Sequence, residues 1–238
     1  MLWLLLLQVS ASCLWLGHSE VVTPFASCPQ FFYQGTPPND ALMPNNPVRI
    51  CQRYRNQYRF ATLYDRNRRI PVYSAYIYQP GPSPEPPLRW FVEPQLINPY
   101  PKDMKTEDFL IKQIGQNQAI NQDYKNLTGL DRGQLSPSSH QSDYDSKVAT
   151  FTLTNIMPQN STLNQDAWQK YENQTMQKQT KGCTTTYVIT GAVPGNKSIA
   201  KGRVNVPSYI WSAACCVVGQ NPTRTWAVVA KNDKNQVQ

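Results

Sequence analysis

Histidine is the scarcest chemistry-bearing residue in this chain. Of 238 residues only His18 and His140 are histidines, and no Cys-x-x-Cys pair is present. Structural zinc sites are built from clusters of those two residue types, so a zinc-bound fold has no support. Acids are also few, 15 against 23 lysines and arginines, which leaves a formal charge of +8. After the first sixteen residues no apolar run approaches the roughly 18 residues that a membrane-spanning helix needs. Internal repeats are missing. What is present is enough apolar (40%) and aromatic (11%) material for a packed core, which excludes disordered and collagen-like chains.

Residues 1–16, MLWLLLLQVSASCLWL, form an apolar run broken by Gln8, Ser10 and Ser12 and followed by Gly17, His18 and Ser19. The pattern predicts a secretory signal peptide over 1–19, although its start lacks the usual Lys or Arg. One domain over 20–238 follows, with no transmembrane segment in the mature chain and a secreted, extracellular destination. Five cysteines remain after removal of Cys13, and an oxidising compartment favours their pairing. Cys28 is expected to join Cys51. Cys183 is expected to join Cys215 or Cys216, and only one of them, because adjacent cysteines on a strand point to opposite faces; Cys215 is taken as the nominal partner. Glycosylation sequons stand at Asn126, Asn160, Asn173 and Asn196, whereas Pro222 excludes Asn221.

The positive charge is local. Between Arg49 and Arg69 lie seven arginines and one acid, Asp65, so this stretch supplies six of the eight net charges. A local field of this kind points to an anionic partner at one place.

Residues 21–48 are rich in Pro, Asn and Gly and predict an ordered but irregular arm. Arg59 to Leu63 and Ile70 to Tyr78 read as a hairpin joined by YDRNRR. The prolines of 79–87 make a loop, and 103–124 fits one short helix or a polar crossover. Further strands are expected at 148–153, 185–190, 209–218 and 225–230, with a helix over 164–179, which is free of Pro and Gly. An α+β fold around a mostly antiparallel central sheet results.

Three segments carry the chemistry: LDRGQLSP (130–137), ATFTLTN with PQ (149–155 and 158–159), and NQDAWQKYE (164–172). In this order they resemble the DNA/RNA non-specific endonuclease family and its ββα-metal core. That core is marked by an Asp-Arg-Gly-His tetrad, a Thr/Ser-Asn-x-x-Pro-Gln segment, and an Asn followed by Trp and Glu on a helix. The likeness runs from about Phe31 to Ala230 and is strongest to the exported vertebrate branch, the endonuclease domain-containing 1-like proteins. CPQFFYQGTPP (28–38), FATLYDRNRRIPVYSAY (60–76), ITGAVPGN (189–196) and RVNVPSYIWSAACC (203–216) carry that closer match.

The resemblance implies a divalent metal, Mg²⁺, held by the side chain of Asn164 and by waters, in keeping with the ion's retained hydration shell. Glu172, eight residues on and roughly on the same helical face, would hold a metal-bound water. Arg132 would neutralise charge on the phosphoryl oxygens. Asn155 and Gln159 match a segment that positions the core loop, or serve as turn residues capping strand and helix. One position departs from the family. Gln134 stands where the tetrad has its general base, and an amide cannot take up a proton at neutral pH. His140, six residues on, reads as a loop residue rather than a substitute base.

In that setting Arg59, Arg66, Arg68 and Arg69, interleaved with Tyr54, Tyr58 and Tyr64, are expected to grip the phosphate backbone of DNA or RNA without reading sequence. Alternation along a hairpin leaves three or four arginines usable on one face. The expected function is therefore binding of nucleic acid and a divalent metal, with phosphodiester hydrolysis weakened or lost at Gln134. The alternative is an active Mg²⁺-dependent endonuclease in which Gln134 orients water or another group acts as base.

Overall fold

The computed structural model describes residues 21–22, 25–98, 100–107 and 111–238. The predicted leader lies outside these residues. Strands β1 (Val21–Val22), β2 (Pro47–Tyr54), β3 (Gln57–Asp65) and β4 (Ile70–Ile77) run antiparallel in sequence order. After the short pair β5 (Phe91–Val92) and β6 (Lys105–Thr106) come α1 (Ile111–Asn117) and β7 (Leu130–Gln134). Helix α2 (Tyr144–Ala149) and strand β8 (Ile156–Asn160) follow. Next is a helical segment made of α3 (Ser161–Gln165), α4 (Ala167–Lys170), a π turn at Tyr171–Thr175 and α5 (Met176–Gln179). Strands β9 (Thr185–Val193), β10 (Lys197–Ile199), β11 (Val204–Val206), β12 (Tyr209–Val218) and β13 (Asn221–Lys231) complete the chain. The central sheet has the order β1-β2-β3-β4-β9-β12-β13, and β7 pairs with β8 apart from it.

Strand β3 from Phe60 to Asp65 and strand β4 from Ile70 to Tyr76 are almost continuously buried because both faces of the sheet are covered there. On one face the irregular arm seats Phe25, Phe31 and Phe32 against Ala61, Leu63, Tyr73 and Ala75. On the other, Tyr76, Val188, Ile210 and Ala214 pack with Leu153, Ile156, Trp168 and Met176 from the layer that carries β8 and the helical segment. Among the described residues no helix is long and apolar enough to cross a membrane.

One expected strand is absent, and two observed strands are unexpected. Residues 148–153 do not form a strand. Asp143 caps α2 by accepting from the Ser146 backbone N–H, and the helix consumes Val148 and Ala149. The β-branched residues that follow are buried as a turn leading into β8, a strand that the sequence pattern does not show. Strand β2, directly after the Pro/Asn-rich arm, is likewise absent from the expected set.

Cys28 pairs with Cys51 as expected, but Cys183 pairs with Cys216, not Cys215. Along β12 the buried side carries Ile210, Ser212, Ala214 and Cys216. The helical segment leading to Cys183 packs on that same side, where the Tyr171 hydroxyl donates to Ser212 Oγ at 3.0 Å. Cys215 points to the opposite, half-exposed side and is a free thiol. Of the sequon asparagines, Asn126, Asn173 and Asn196 are exposed. Asn160 is half-buried, and its side chain caps α3 by accepting from Leu163 N.

Candidate active site

Strands β7 and β8 pair antiparallel, with Arg132 opposite Pro158 and Gln134 opposite Ile156, and α3 begins directly after β8. This ββα unit gathers the three motif segments. Close approach within it depends on Gly133, where an added Cβ would lie 2.7 Å from Gln159 Cβ and 2.8 Å from Met157 Cε. Gln159 itself is fully buried, and neither atom of its amide has a hydrogen-bond partner among the described residues. It packs against Gly133 rather than bonding the loop.

Asn155 does hold the loop. Its Oδ1 accepts from Ser74 Oγ at 2.8 Å and from Ser136 N at 3.0 Å. Its Nδ2 donates to the carbonyls of Ser136 and Thr150, both at 2.9 Å. With no exposed surface and all four bonds made, Asn155 ties the turn after β7 to both the central sheet and Thr150.

Thr150 in turn sets Gln134. The Thr150 hydroxyl donates to the Lys147 carbonyl at 2.7 Å and so presents a lone pair to Gln134 Nε2 at 2.9 Å. The Gln134 amide is thereby oriented, with Oε1 left as its acceptor.

At the head of the helical segment, Asp131 accepts from Asn164 Nδ2 at 3.0 Å, Gln165 Nε2 at 2.9 Å and Ser161 Oγ at 2.7 Å. Burial works against the Asp131 charge. The bonds from Asn164, Ser161 and Gln165 outweigh it and hold the carboxyl below its usual range. Because Asp131 takes the NH₂ group of Asn164, the Asn164 carbonyl oxygen is the atom available to a hard cation. No cluster of three or more His, Cys, Asp or Glu suited to a metal exists among the described residues. One amide oxygen with a shell of waters is therefore the donor set that these residues fit.

Asn164 and Glu172 each lie four positions from the buried Trp168. The segment between them is not an ideal α-helix, since Asp166 has φ −129° and ψ −87° and Glu172 sits in the π turn. Burial pushes the half-buried Glu172 carboxyl up to about 8, partly offset by the Trp168 side chain.

Arg132 donates to the Asn121 carbonyl at 3.3 Å, and its guanidinium lies 4.6 Å from the Trp90 ring centroid and 5.3 Å from that of Tyr124. The aromatic walls hold the planar cation by its faces. Burial lowers its proton affinity somewhat. Its charge makes no ion pair among the described residues, which leaves it open to an anion.

His140 is a buried structural residue and not an exposed loop residue. Its Nε2 donates to the Glu172 carbonyl at 3.0 Å, since a carbonyl can only accept, and Nδ1 then accepts from the Tyr76 hydroxyl at 3.0 Å. Burial lowers its pKa to about 4. In the unfolded chain it protonates near 6.5. The unfolded state therefore binds more protons between those values, and stability is lost as pH falls from about 6.5 to about 4. The full shift corresponds to about 3 kcal/mol. A urea midpoint that drops through this window in the wild type and much less in His140→Gln is the expected result.

The basic segment behaves differently from the expectation. Arg49 pairs with Asp40, Arg53 with Asp103, Arg55 with Asp145 and Arg68 with Asp65. Arg59, only 8% exposed, pairs with both Asp143 and Asp145. Arg69 donates to the carbonyls of Gly115, Gln116 and Arg203. Tyr64 is buried and its hydroxyl accepts from Ala119 N. Internal partners thus engage Arg59, Arg68 and Arg69 of the four arginines expected to grip phosphate, and among the described residues only Arg66 of the seven arginines lacks a partner of this kind. The acids that neutralise the segment come from up to 90 residues away. Trp90, Tyr124 and Thr150 carry no local signal of their roles in the sequence, whereas Asp131 has one in its position beside Arg132.

Three kinds of comparison agree with this geometry. A family model described as DNA/RNA non-specific endonuclease matches residues 37–238. The Homo sapiens protein named Endonuclease domain-containing 1 protein is 39% identical over 217 residues, covering 86% of this chain and 41% of that protein. The Mus musculus protein of the same name is 36% identical over 216 residues with the same coverage. The chain thus spans about two fifths of the length of these relatives. A solved structure of the EndoG/EndoGI complex superposes with a TM-score of 0.55 at 20% identity, over 75% of this chain and 73% of that one, which shows a shared fold.

Proposed function

Since the chain belongs to the DNA/RNA non-specific endonuclease family, we propose that it binds nucleic acid and one divalent metal, with phosphodiester hydrolysis weakened or lost. The observation that carries this reading is the amide of Gln134, fixed by Thr150 within the same ββα unit as Arg132 and Asn164. Asn164, oriented by Asp131, would hold Mg²⁺, and Glu172 would hold one of its waters. The bound ion would supply charge stabilisation to the phosphoryl group. Arg132 would meet the non-bridging oxygens from between its aromatic walls. What is missing is a group that removes a proton from water. Gln134 Oε1 can orient a water, which supports the second reading, a slow but active Mg²⁺-dependent endonuclease.

Export belongs to the same proposal. Two disulfides, the predicted 1–19 leader and three exposed sequons at Asn126, Asn173 and Asn196 support a secreted, glycosylated protein with one domain over 20–238.

Plasmid and RNA degradation in Mg²⁺ by the wild type and by Gln134→His tests the catalytic reading. A wild type far slower than the variant supports it. Brisk wild-type cleavage that Asn164→Ala abolishes overturns it in favour of the active enzyme.

A further inference from the structure

With most of the Arg49–Arg69 segment paired internally, further open positive charge lies outside it. Arg89 and Lys105 make no ion pair among the described residues. Together with Tyr54, Arg55, Phe91 and Tyr144 they line a groove of about 330 Å³. Tyr144 is 40% exposed. The Arg55 guanidinium lies 5.7 Å from the Tyr54 ring centroid, and its pairing with Asp145 leaves the side chain 65% exposed. An exposed pair of this kind contributes little and yields readily to a competing anion.

One chain segment links this groove to the site. Trp90 lies between Arg89 and Phe91 in the chain, and its ring stacks with Arg132 while its two neighbours line the groove. Because side chains alternate along extended backbone, the Leu88–Trp90 edge carries the Arg132 wall on one side and the groove-lining Arg89 on the other, and a strand held at Arg132 would have to cross that edge to enter the groove. Leu88 on that edge is 71% exposed.

We infer that this groove binds the flanking nucleotides of a single-stranded nucleic acid whose reacting phosphate lies at Arg132. Arg89 and Lys105 take successive phosphates, and the exposed Tyr144 takes an unstacked base. The inference rests on the functional reading above and adds to it the substrate form and its path. A base must be out of a duplex to lie on an aromatic ring, so the pairing of open cations with an exposed tyrosine favours single strands. Phosphate contacts alone would serve duplex and single strand alike.

The test titrates the full chain in EDTA with fluorescent oligothymidylates of 4 and 12 nucleotides and with a 12-base-pair duplex. The 12-nucleotide strand is expected to bind most tightly, and Tyr144→Ala to weaken it about tenfold. The double variant Arg89→Ala/Lys105→Ala should reduce the slope of log K against log salt by about 1.4, near 0.7 for each single-strand phosphate that is no longer neutralised. All these side chains lie at the surface, and unchanged melting temperatures confirm intact folds. Binding of the 12-nucleotide strand that none of these variants alters overturns the groove and leaves the functional reading standing. A wild type that binds none of the nucleic acids at any salt overturns that reading. Equal affinity for heparin, insensitive to Tyr144→Ala, overturns the groove as a base-stacking site.

Discussion

Gln134→His is expected to raise the rate of phosphodiester cleavage in Mg²⁺ by about 10²- to 10⁴-fold, the usual contribution of general-base assistance. That factor corresponds to about 3 to 5 kcal/mol of barrier. The surroundings are already arranged for an imidazole. The Thr150 hydroxyl gives its hydrogen to the Lys147 carbonyl and so presents only an acceptor to position 134. A histidine there would donate one ring N–H to Thr150 Oγ1, leaving the other nitrogen unprotonated and basic. It follows that Thr150→Val, placed in the Gln134→His background, should cancel a large part of the gain. Initial rates on plasmid DNA and on RNA for wild type, single and double variants check both statements. Equal inactivity of wild type and Gln134→His would show that more of the site than its base is lost.

Asn155→Ala is expected to cost the fold about 3 to 5 kcal/mol, the range of large single-residue losses from broken buried polar networks. Truncation strands the Ser136 N–H and the carbonyls of Ser136 and Thr150 away from water, and each buried unsatisfied group costs about 1 to 3 kcal/mol. For a domain of this size that lowers the melting temperature by about 10 °C. Asn155→Asp, nearly identical in shape, should be no milder. Its second oxygen would face the two carbonyl oxygens to which Nδ2 now donates. Calorimetric melting of both variants checks this, and a mild Asn155→Asp would remove the hydrogen-bond explanation. The role of Asn155 in forming the site is therefore indirect. It fixes the Thr150 backbone, and Thr150 fixes Gln134.

Much of the site is readable in the sequence because its parts are short-range. The segment from Leu130 to Gln134 contains Arg132, the close-packing Gly133 and Gln134, and Asn164 and Glu172 share one helical segment. The β3–β4 hairpin is legible for the same reason, its alternation and its turn being local. Residues 148–153 mislead because β-branched residues suit a buried turn as well as a strand, and the Asp143 cap that starts α2 lies outside the strand-like window. Cys216 cannot be chosen over Cys215 from spacing. Both fit the chain length, and only the side of the sheet on which the helical segment packs distinguishes them.

The positive charge separates the two levels most clearly. Composition and motif order, which are properties of the chain, determined the family, the α+β fold and the glutamine at position 134. Which cations remain open was decided by the tertiary structure alone. Arg59 meets Asp143 across 84 residues of chain, and Arg132 finds Trp90 across 42. Charge adds along the sequence, but its availability depends on which opposite charges and which aromatic walls folding brings within a few ångströms.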